Sequence, residues 1–391
     1  MAVLLDCDSG CFISHNKLVE SWYRKCRRSA KGDVISIKLK DALFDVRTPM
    51  RMDSAAEKLV AGTRRRKFKW RSSDDNPLTD FVKPCSWIAE ASERIVRAAL
   101  DAGHLEPGLA SDEEVLENNC TARAAAADAL AAASGLDACP SLPVGCSTPH
   151  TRLIHFRGQP VWLPANARVQ IGDIQDLAPF LTGSFDFILL DPPWANKSAR
   201  RKRAYSMLPR RQLLSSVPLK RLASPQGCLV AVWCTTNGAH LRFVARELLP
   251  SWGLTYLATW YWVKVTKHGE PVRPFDCPHK KPYEFVIFGG PSSLSIPRDK
   301  VFVSVPSCIH SHKPPLSELV RPFVKNGGAC MEVFARYLVP GWTSVGNEAL
   351  KLQHESLYEP ASSEFPHLDT CIKHKRWKKS SSLFLSPNIL L

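Results

Sequence analysis

From residue 151 onward, short runs of β-branched and aromatic residues alternate with helical patterns, and this alternation limits the fold more than any other feature. Phe185–Leu190 is an apolar run of the kind buried on both faces of a parallel sheet. Cys228–Trp233, Tyr256–Val265, Glu284–Phe288, Val301–Val305 and Ala329–Phe334 are five further runs. Helical stretches lie between some of them, at Arg210–Leu222, Ala239–Leu249 and Pro315–Val324. The expected fold class is therefore α/β, with a doubly wound parallel sheet over residues 151–358. Such sheets bind ligands beyond the carboxyl ends of their strands.

Residues 1–150 have a different texture and are expected to form a mostly helical, basic accessory region. Apolar positions Ile88, Ile95, Val96, Ala99 and Leu100 predict an amphipathic helix over 84–104. Ser111, followed by Asp112, Glu113 and Glu114, predicts a capped helix over 111–134. Gly and Pro then punctuate 134–150, which reads as a linker. The run Arg64-Arg-Arg-Lys-Phe-Lys-Trp-Arg71 is a candidate phosphate contact or nuclear-import signal, with Phe68 and Trp70 offering stacking faces. A solvated loop is the plain alternative. Residues 359–391 read as a disordered basic tail.

Composition narrows the function. The chain has 391 residues, 52 Lys plus Arg, 37 Asp plus Glu and a formal charge of +15, which points to an anionic partner such as nucleic acid. No run of about 18 apolar residues exists, so no membrane-spanning helix is expected. Asp6 interrupts the only apolar stretch at the start, so secretion is not expected. Thirteen cysteines are scattered without a CxxC pair, the pattern of reduced thiols rather than a disulfide framework.

The chemistry concentrates in Asp191-Pro192-Pro193-Trp194, directly after the first apolar run. Two prolines stiffen the backbone and remove two N–H donors. A carboxylate, free carbonyls and an indole remain, forming an acceptor-only pocket beside a stacking face. A planar ring with an exocyclic NH2 suits it: Asp191 and the Pro192 carbonyl each accept one N–H while Trp194 stacks. Such acceptors localise the lone pair of an adenine N6 amine for attack on a methyl donor, a reaction that needs orientation and electrostatics. A proline-stiffened strand exit with a buried Trp is the bland alternative.

Asp-Pro-Pro-Trp after an apolar strand resembles the signature of the N6-adenine methyltransferases. Asn196-Lys-Ser198, Trp260–Lys264, Pro278–Glu284, His310–Pro315, Glu332–Arg336 and Pro340–Glu348 extend the resemblance to the family's methyltransferase-like protein 4 branch, over about 151–355. The resemblance implies a Rossmann-like sheet, S-adenosylmethionine as methyl donor and an RNA substrate. That substrate would be 2′-O-methyladenosine in U2 small nuclear RNA, with DNA adenine as the alternative, and the location nuclear with a cytoplasmic pool as alternative. It also implies the site residues. Asp191 through Trp194 would be catalytic. Asp173 and Ile174 would contact the cofactor's adenine, and Lys281 its carboxylate. Asp191, Phe334, Arg336, Asn347 and Glu348 complete that set, with Phe334 and Arg336 near the ribose and Asn347 and Glu348 at its hydroxyls. Glu348 stands where the mRNA enzyme has Gln, so it can accept but not donate.

Asn196, Lys197, Arg200, Arg201, Arg203 and Tyr205 follow the tetrapeptide and are expected to receive substrate phosphates. Trp262, His279, His312 and Lys313 are further substrate-lining candidates, with His279 and His312 at strand ends. Cys277-Pro-His279 and Cys308-Ile-His-Ser-His312 lack the usual spacing of structural zinc sites, so no metal is expected. Cys228, Cys234 and Cys330 read as core. No G-x-G-x-x-G follows a first strand, and no G-x-x-x-x-G-K-[ST] occurs, which argues against an ATPase. A catalytically silent nucleic-acid-binding scaffold remains the competing reading, although silent members of the family lose the tetrapeptide and this chain keeps it.

Overall fold

Strand formation follows the apolar runs, and their pairing sets where the site can be. The computed structural model describes residues 3–28, 34–50, 80–136, 142–145, 149–179, 181–194, 210–277, 280–325 and 327–361. The N-terminal part contributes β1 (Val3–Cys7), β2 (Gly10–Ile13), β3 (Cys26–Arg27), β4 (Val34–Ile35) and β5 (Ile37–Leu39). Then come β6 (Leu142–Gly145), β7 (Thr151–Phe156), β8 (Gln159–Leu163) and β9 (Arg168–Ile171). The remainder are β10 (Phe187–Leu190), β11 (Leu229–Cys234), β12 (Thr255–Lys264), β13 (Tyr283–Gly290), β14 (Asp299–Ser304), β15 (Cys330–Val333), β16 (Thr343–Val345) and β17 (Tyr358–Pro360).

Among the described residues one large sheet runs β1-β2-β14-β12-β13-β11-β10-β15-β16-β9-β6. The five central strands β11, β10, β15, β16 and β9 are mutually parallel. The chain leaves β10 toward β11 on one side and returns to β15 on the other. The strand order therefore reverses between β10 and β15, the place where an open α/β sheet opens a ligand crevice. Alternate residues feed opposite cores: Ile188, Leu190, Val230 and Val232 pack on one face, and Phe187, Leu189, Ala231 and Trp233 on the other.

The sheet is mixed rather than wholly parallel. β13 runs antiparallel to both β11 and β12. Two long neighbouring strands joined by a loop need no crossover helix. The six expected runs all form strands, whereas two of the helical stretches break. Pro218 divides 210–222 into Arg210–Ser215 and Leu219–Leu222. The expected helix over 111–134 is also divided, into Asp112–Glu117 and Cys120–Ala132. Asn118 and Asn119 between them take left-handed φ values of 49° and 57°, which Asn tolerates better than most residues. The break is used: the Asn119 amide accepts from Arg47 N–H at 2.8 Å and donates to the Thr48 carbonyl at 2.9 Å.

The N-terminal part is less helical and less separate than its texture predicts. The helix Cys85–Asp101 forms, and Ile88, Ala91, Ile95 and Ala99 bury one face of it. Yet β2 pairs with β14 and β6 with β9, so segments before and after residue 150 share one sheet. Residues 142–145, within the expected linker, are that β6 strand. The tail also starts later than expected, since β17 pairs with β5. The basic run 64–71 and residues 362–391 lie outside the described residues. No helix among the described residues is long and apolar enough to cross a membrane.

A charge cluster ties the N-terminal part to the loop after β12. Arg47 reaches Asp45 at 2.9 Å, Glu106 at 2.8 Å and Glu114 at 2.7 Å, and Lys267 reaches Asp45 at 2.7 Å. These side chains keep between 22% and 44% of their surface in water.

Candidate active site

Asp191 is the first residue beyond β10, Phe334 the first beyond β15, Gly346 the first beyond β16 and Gly172 the first beyond β9. The four strand exits are stitched side by side. Asp191 N–H donates to the Val333 carbonyl at 3.2 Å, Ala335 N–H to Val345 at 3.0 Å and Gly346 N–H to Gln170 at 3.1 Å. A Cβ on Gly346 would lie 3.1 Å from Ala335 N, and its φ of 153° disfavours any L side chain, so glycine is required for this close approach. Phe334 takes a φ of 64°, a strained state for a bulky residue and one that concentrates at functional sites. Asp173 caps the short helix Ile174–Leu177 by accepting Gln175 N–H at 3.0 Å. The expected cofactor residues Asp173, Ile174, Asp191, Phe334, Arg336, Asn347 and Glu348 thus lie along one edge of four neighbouring parallel strands.

Asp191 is buried, at 6% exposure. Burial pushes its carboxyl above the ordinary range, and nearby Lys313 and Arg336 pull it back. Lys313 Nζ lies 3.8 Å from Asp191 Oδ1 and 2.8 Å from Glu284 Oε2. Burial opposes its charge, but Asp191 and Glu284 outweigh burial and hold it above the ordinary lysine value. Glu284 also pairs with Lys264, and although burial works the other way, the two lysines hold the Glu284 carboxyl well below its usual range. Arg336 Nε donates to Glu348 at 3.2 Å, its Nη1 to the Ser311 carbonyl at 3.2 Å, and Lys351 reaches Glu348 at 2.6 Å. The Glu348 carboxylate therefore anchors two cations as well as standing where ribose hydroxyls are expected.

Glu332 adds a second buried acid. It sits on β15 with its Oε2 lacking a hydrogen-bond partner, and burial, reinforced by Asp191, pushes its carboxyl up to about 8. At neutral pH it is largely protonated, which spares the site an adjacent negative charge.

The tetrapeptide is locked at several points. Trp194 N–H donates to the Pro192 carbonyl at 2.7 Å, so one lone pair of that carbonyl is already used. The Trp194 indole Nε1 donates to the Trp233 carbonyl at 2.6 Å. One indole face stacks on His240, with centroids 4.4 Å apart and planes 20° from parallel. Trp194 thus offers a base at most one face.

Two expected contacts, those of Trp262 and His312, sit differently, and Lys281 is held by backbone. Lys281 Nζ donates to the Phe275 carbonyl at 2.6 Å, and the cation beside Asp191 is Lys313. Trp262 is 2% exposed, with its Nε1 on Ser304 Oγ at 2.8 Å and Lys264 over its ring, so it packs as core. His312 is enclosed by His15 at 4.2 Å and bonds Ser307 at 2.9 Å; burial pushes it down to about 3, leaving it neutral and out of the cleft. Asn196, Lys197, Arg200, Arg201, Arg203, Tyr205 and His279 lie outside the described residues.

Lys264, Glu284, Glu332 and His240 had not been singled out from sequence. For Lys264 a signal existed: Trp260, Trp262 and Lys264 share one face of β12, and a charge ending an apolar alternation marks a place where the strand meets something polar.

These features define the class: a mixed α/β sheet whose switch point carries a rigid, acceptor-rich strand exit. Residues 185–348 match the MT-A70 family model, so the chain carries an MT-A70 domain. It is 44% identical over 219 residues to the N(6)-adenine-specific methyltransferase METTL4 of mouse and to that of human, covering 52% of this chain and 46% of each relative. It is 36% identical over 221 residues to the N6-methyladenosine RNA methyltransferase MTA1 of Pyricularia oryzae (52% and 58% covered). It is 34% identical over 209 residues to a DNA N6-methyl methyltransferase of Caenorhabditis elegans (51% and 56% covered). The chain spans about half the length of the curated relatives it matches.

Proposed function

We propose that this protein methylates the N6 amine of adenine in nucleic acid. The carrying observation is the Asp191-Pro-Pro-Trp194 exit at the β10/β15 switch point, with Asp191 and Pro192 buried and Trp194 half-buried. S-adenosylmethionine, when bound, supplies a methyl on a sulfonium sulfur that leaves with its bonding pair as the N6 lone pair forms the new bond.

The residues present fit that donor. The close-packed exits at Phe334 and Gly346 form a backbone cradle, and Lys313 is a buried cation suited to a carboxylate. Asn347 and Glu348 follow that cradle directly, where ribose hydroxyls would be held. Asp191 and the second lone pair of the Pro192 carbonyl accept the two N6 hydrogens, which draws the amine toward tetrahedral geometry. Asp191 then takes the departing proton, for which a carboxyl raised by burial is better suited than an exposed one.

As substrate we propose RNA, and within it 2′-O-methyladenosine of U2 small nuclear RNA, in the nucleus with a cytoplasmic pool as alternative. This finer reading is supported by the sequence resemblance alone; the net charge of +15 supports an anionic partner of either kind. DNA is the second reading, favoured by the similarity to the DNA N6-methyl methyltransferase of Caenorhabditis elegans. The test is incubation with labelled S-adenosylmethionine and matched RNA and DNA oligonucleotides, one bearing 2′-O-methyladenosine, followed by nucleoside mass spectrometry. Asp191-dependent N6-methyladenine is expected, highest on the 2′-O-methyl RNA. Preference for DNA overturns the substrate, and equal inertness of wild type and Asp191→Ala, with no cofactor binding, leaves the scaffold reading.

A further inference from the structure

We propose that His240 is a positioning residue for the substrate base: it backs the Trp194 indole and fixes the plane on which the target adenine stacks. The inference rests on the nucleic-acid reading above and adds to it a residue outside the tetrapeptide.

Trp194 cannot orient itself. Its indole N–H is committed to the Trp233 carbonyl at 2.6 Å, and its backbone N–H to Pro192 at 2.7 Å. Those bonds fix one edge of the ring, and it also packs against the apolar cluster that holds Leu190 and Val232; His240 adds a parallel ring over one of its faces. The imidazole lies nearly parallel to the indole at 4.4 Å, an attractive arrangement for two π systems.

His240 is itself held. It lies on the helix Gly238–Phe243, which Asn237 caps by accepting Ala239 N–H at 2.9 Å. Its Nδ1 is 3.0 Å from Thr235 Oγ1. Trp233, Thr235 and the capped helix all belong to β11 and its immediate exit. Both anchors of the stack therefore hang from the strand next to β10, the strand that presents Asp191. A ring fixed by a capped helix and a hydroxyl is a wall; a ring that stood in for the base would need to swing away when substrate arrives. The observed fixation favours the wall. A base would then complete a three-ring stack of His240, Trp194 and adenine, with the N6 edge directed by the same rigid exit that carries Asp191.

The test uses the full chain with His240→Ala, His240→Phe and Thr235→Val. Steady-state methyl transfer to a single-stranded oligonucleotide with one adenine gives KM for nucleic acid, KM for cofactor and kcat. Fluorescence anisotropy compares that oligonucleotide with an abasic one. The expected result for His240→Ala is a rise in nucleic-acid KM of about five- to fiftyfold, the lower part of the range for loss of a whole stacking platform, since Trp194 itself remains. The cofactor KM stays unchanged, and the anisotropy preference for adenine over the abasic site is lost. His240→Phe, which keeps a π face but no ring nitrogen, recovers most of the KM, and Thr235→Val falls between. A His240→Ala enzyme with unchanged or tighter binding overturns the proposal, and so does a defect that Phe does not relieve. If wild type methylates nothing, the proposed function falls, and anisotropy still decides: a preference for adenine lost in His240→Ala supports the stack, and no preference in wild type overturns it.

Discussion

Two charge clusters in this molecule look alike on paper. Around Arg47, Asp45, Glu106, Glu114 and Lys267 interlock at 2.7–2.9 Å. Around Lys313, Glu284 lies at 2.8 Å and Asp191 at 3.8 Å, Lys264 pairs with Glu284, and Glu332 lies beside them. The first keeps 22–44% of its side-chain surface in water; in the second Asp191 and Lys313 each expose 8%, and Glu284 and Lys264 expose 19% and 23%. Solvent screens the first, so its members are individually dispensable. In the second each charge exists only because its partner does, and burial raises one carboxyl while paired lysines lower another. Exposure, more than contact distance, separates a brace from a chemical site.

Four measurements would break or sharpen this contrast. Asp191→Ala is expected to lower methyl transfer by about a thousandfold or more, since it removes the central acceptor from a dry site; retention of activity within tenfold would reduce Asp191 to a brace. Lys313→Met leaves two buried carboxylates with one cation fewer, and urea unfolding should show a loss of about 3 kcal/mol or more. A loss as small as that of a surface pair would make the clusters equivalent.

Glu332→Gln tests the pH sign. The folded carboxyl is raised from 4.5 to about 8, so between those values the folded state holds a proton that the unfolded chain releases. Stability therefore falls as pH rises through that window. The Gln variant escapes this loss, and its advantage should be near zero at pH 4.5 and on the order of 3 kcal/mol at pH 7. A pH-independent difference would refute the buried-acid account. Arg47→Ala should have the smallest effect, about 1 kcal/mol in low salt and less at 1 M NaCl.

Much of this was legible in the chain because it is local. Each apolar run became a strand, and Asp191-Pro-Pro-Trp194 could be placed at a strand exit because it directly follows one. What escaped was set by distant pairing. Nothing near Val3–Ile13 announces that β2 will lie beside β14, and nothing near 142–145 announces β6. Lys281 and Lys313 look equally suited to an anion by type; only the fold brings the second to 3.8 Å from Asp191. His312 and Trp262 were misplaced because a polar or aromatic residue near a cleft can equally lie beneath it, and alternation alone does not separate the two depths. The double-Asn break at 118–119 defeats a helix pattern that its alanines otherwise satisfy.

The β2–β14 ladder has a consequence for the birth of the molecule. Gly10 to Phe12 meet Val301 to Val303, nearly three hundred residues later in the chain. At ribosomal speeds of about 5–20 residues per second, the early strand waits roughly 15 to 60 seconds for its mate. Through that interval β2 and its apolar Cys11, Phe12 and Ile13 form an open edge inside the nascent chain, vulnerable to the wrong neighbour. Completion of the sheet is thus a late event in synthesis, and a newborn chain that stalls before β14 would carry an unmatched edge for quality-control factors to recognise.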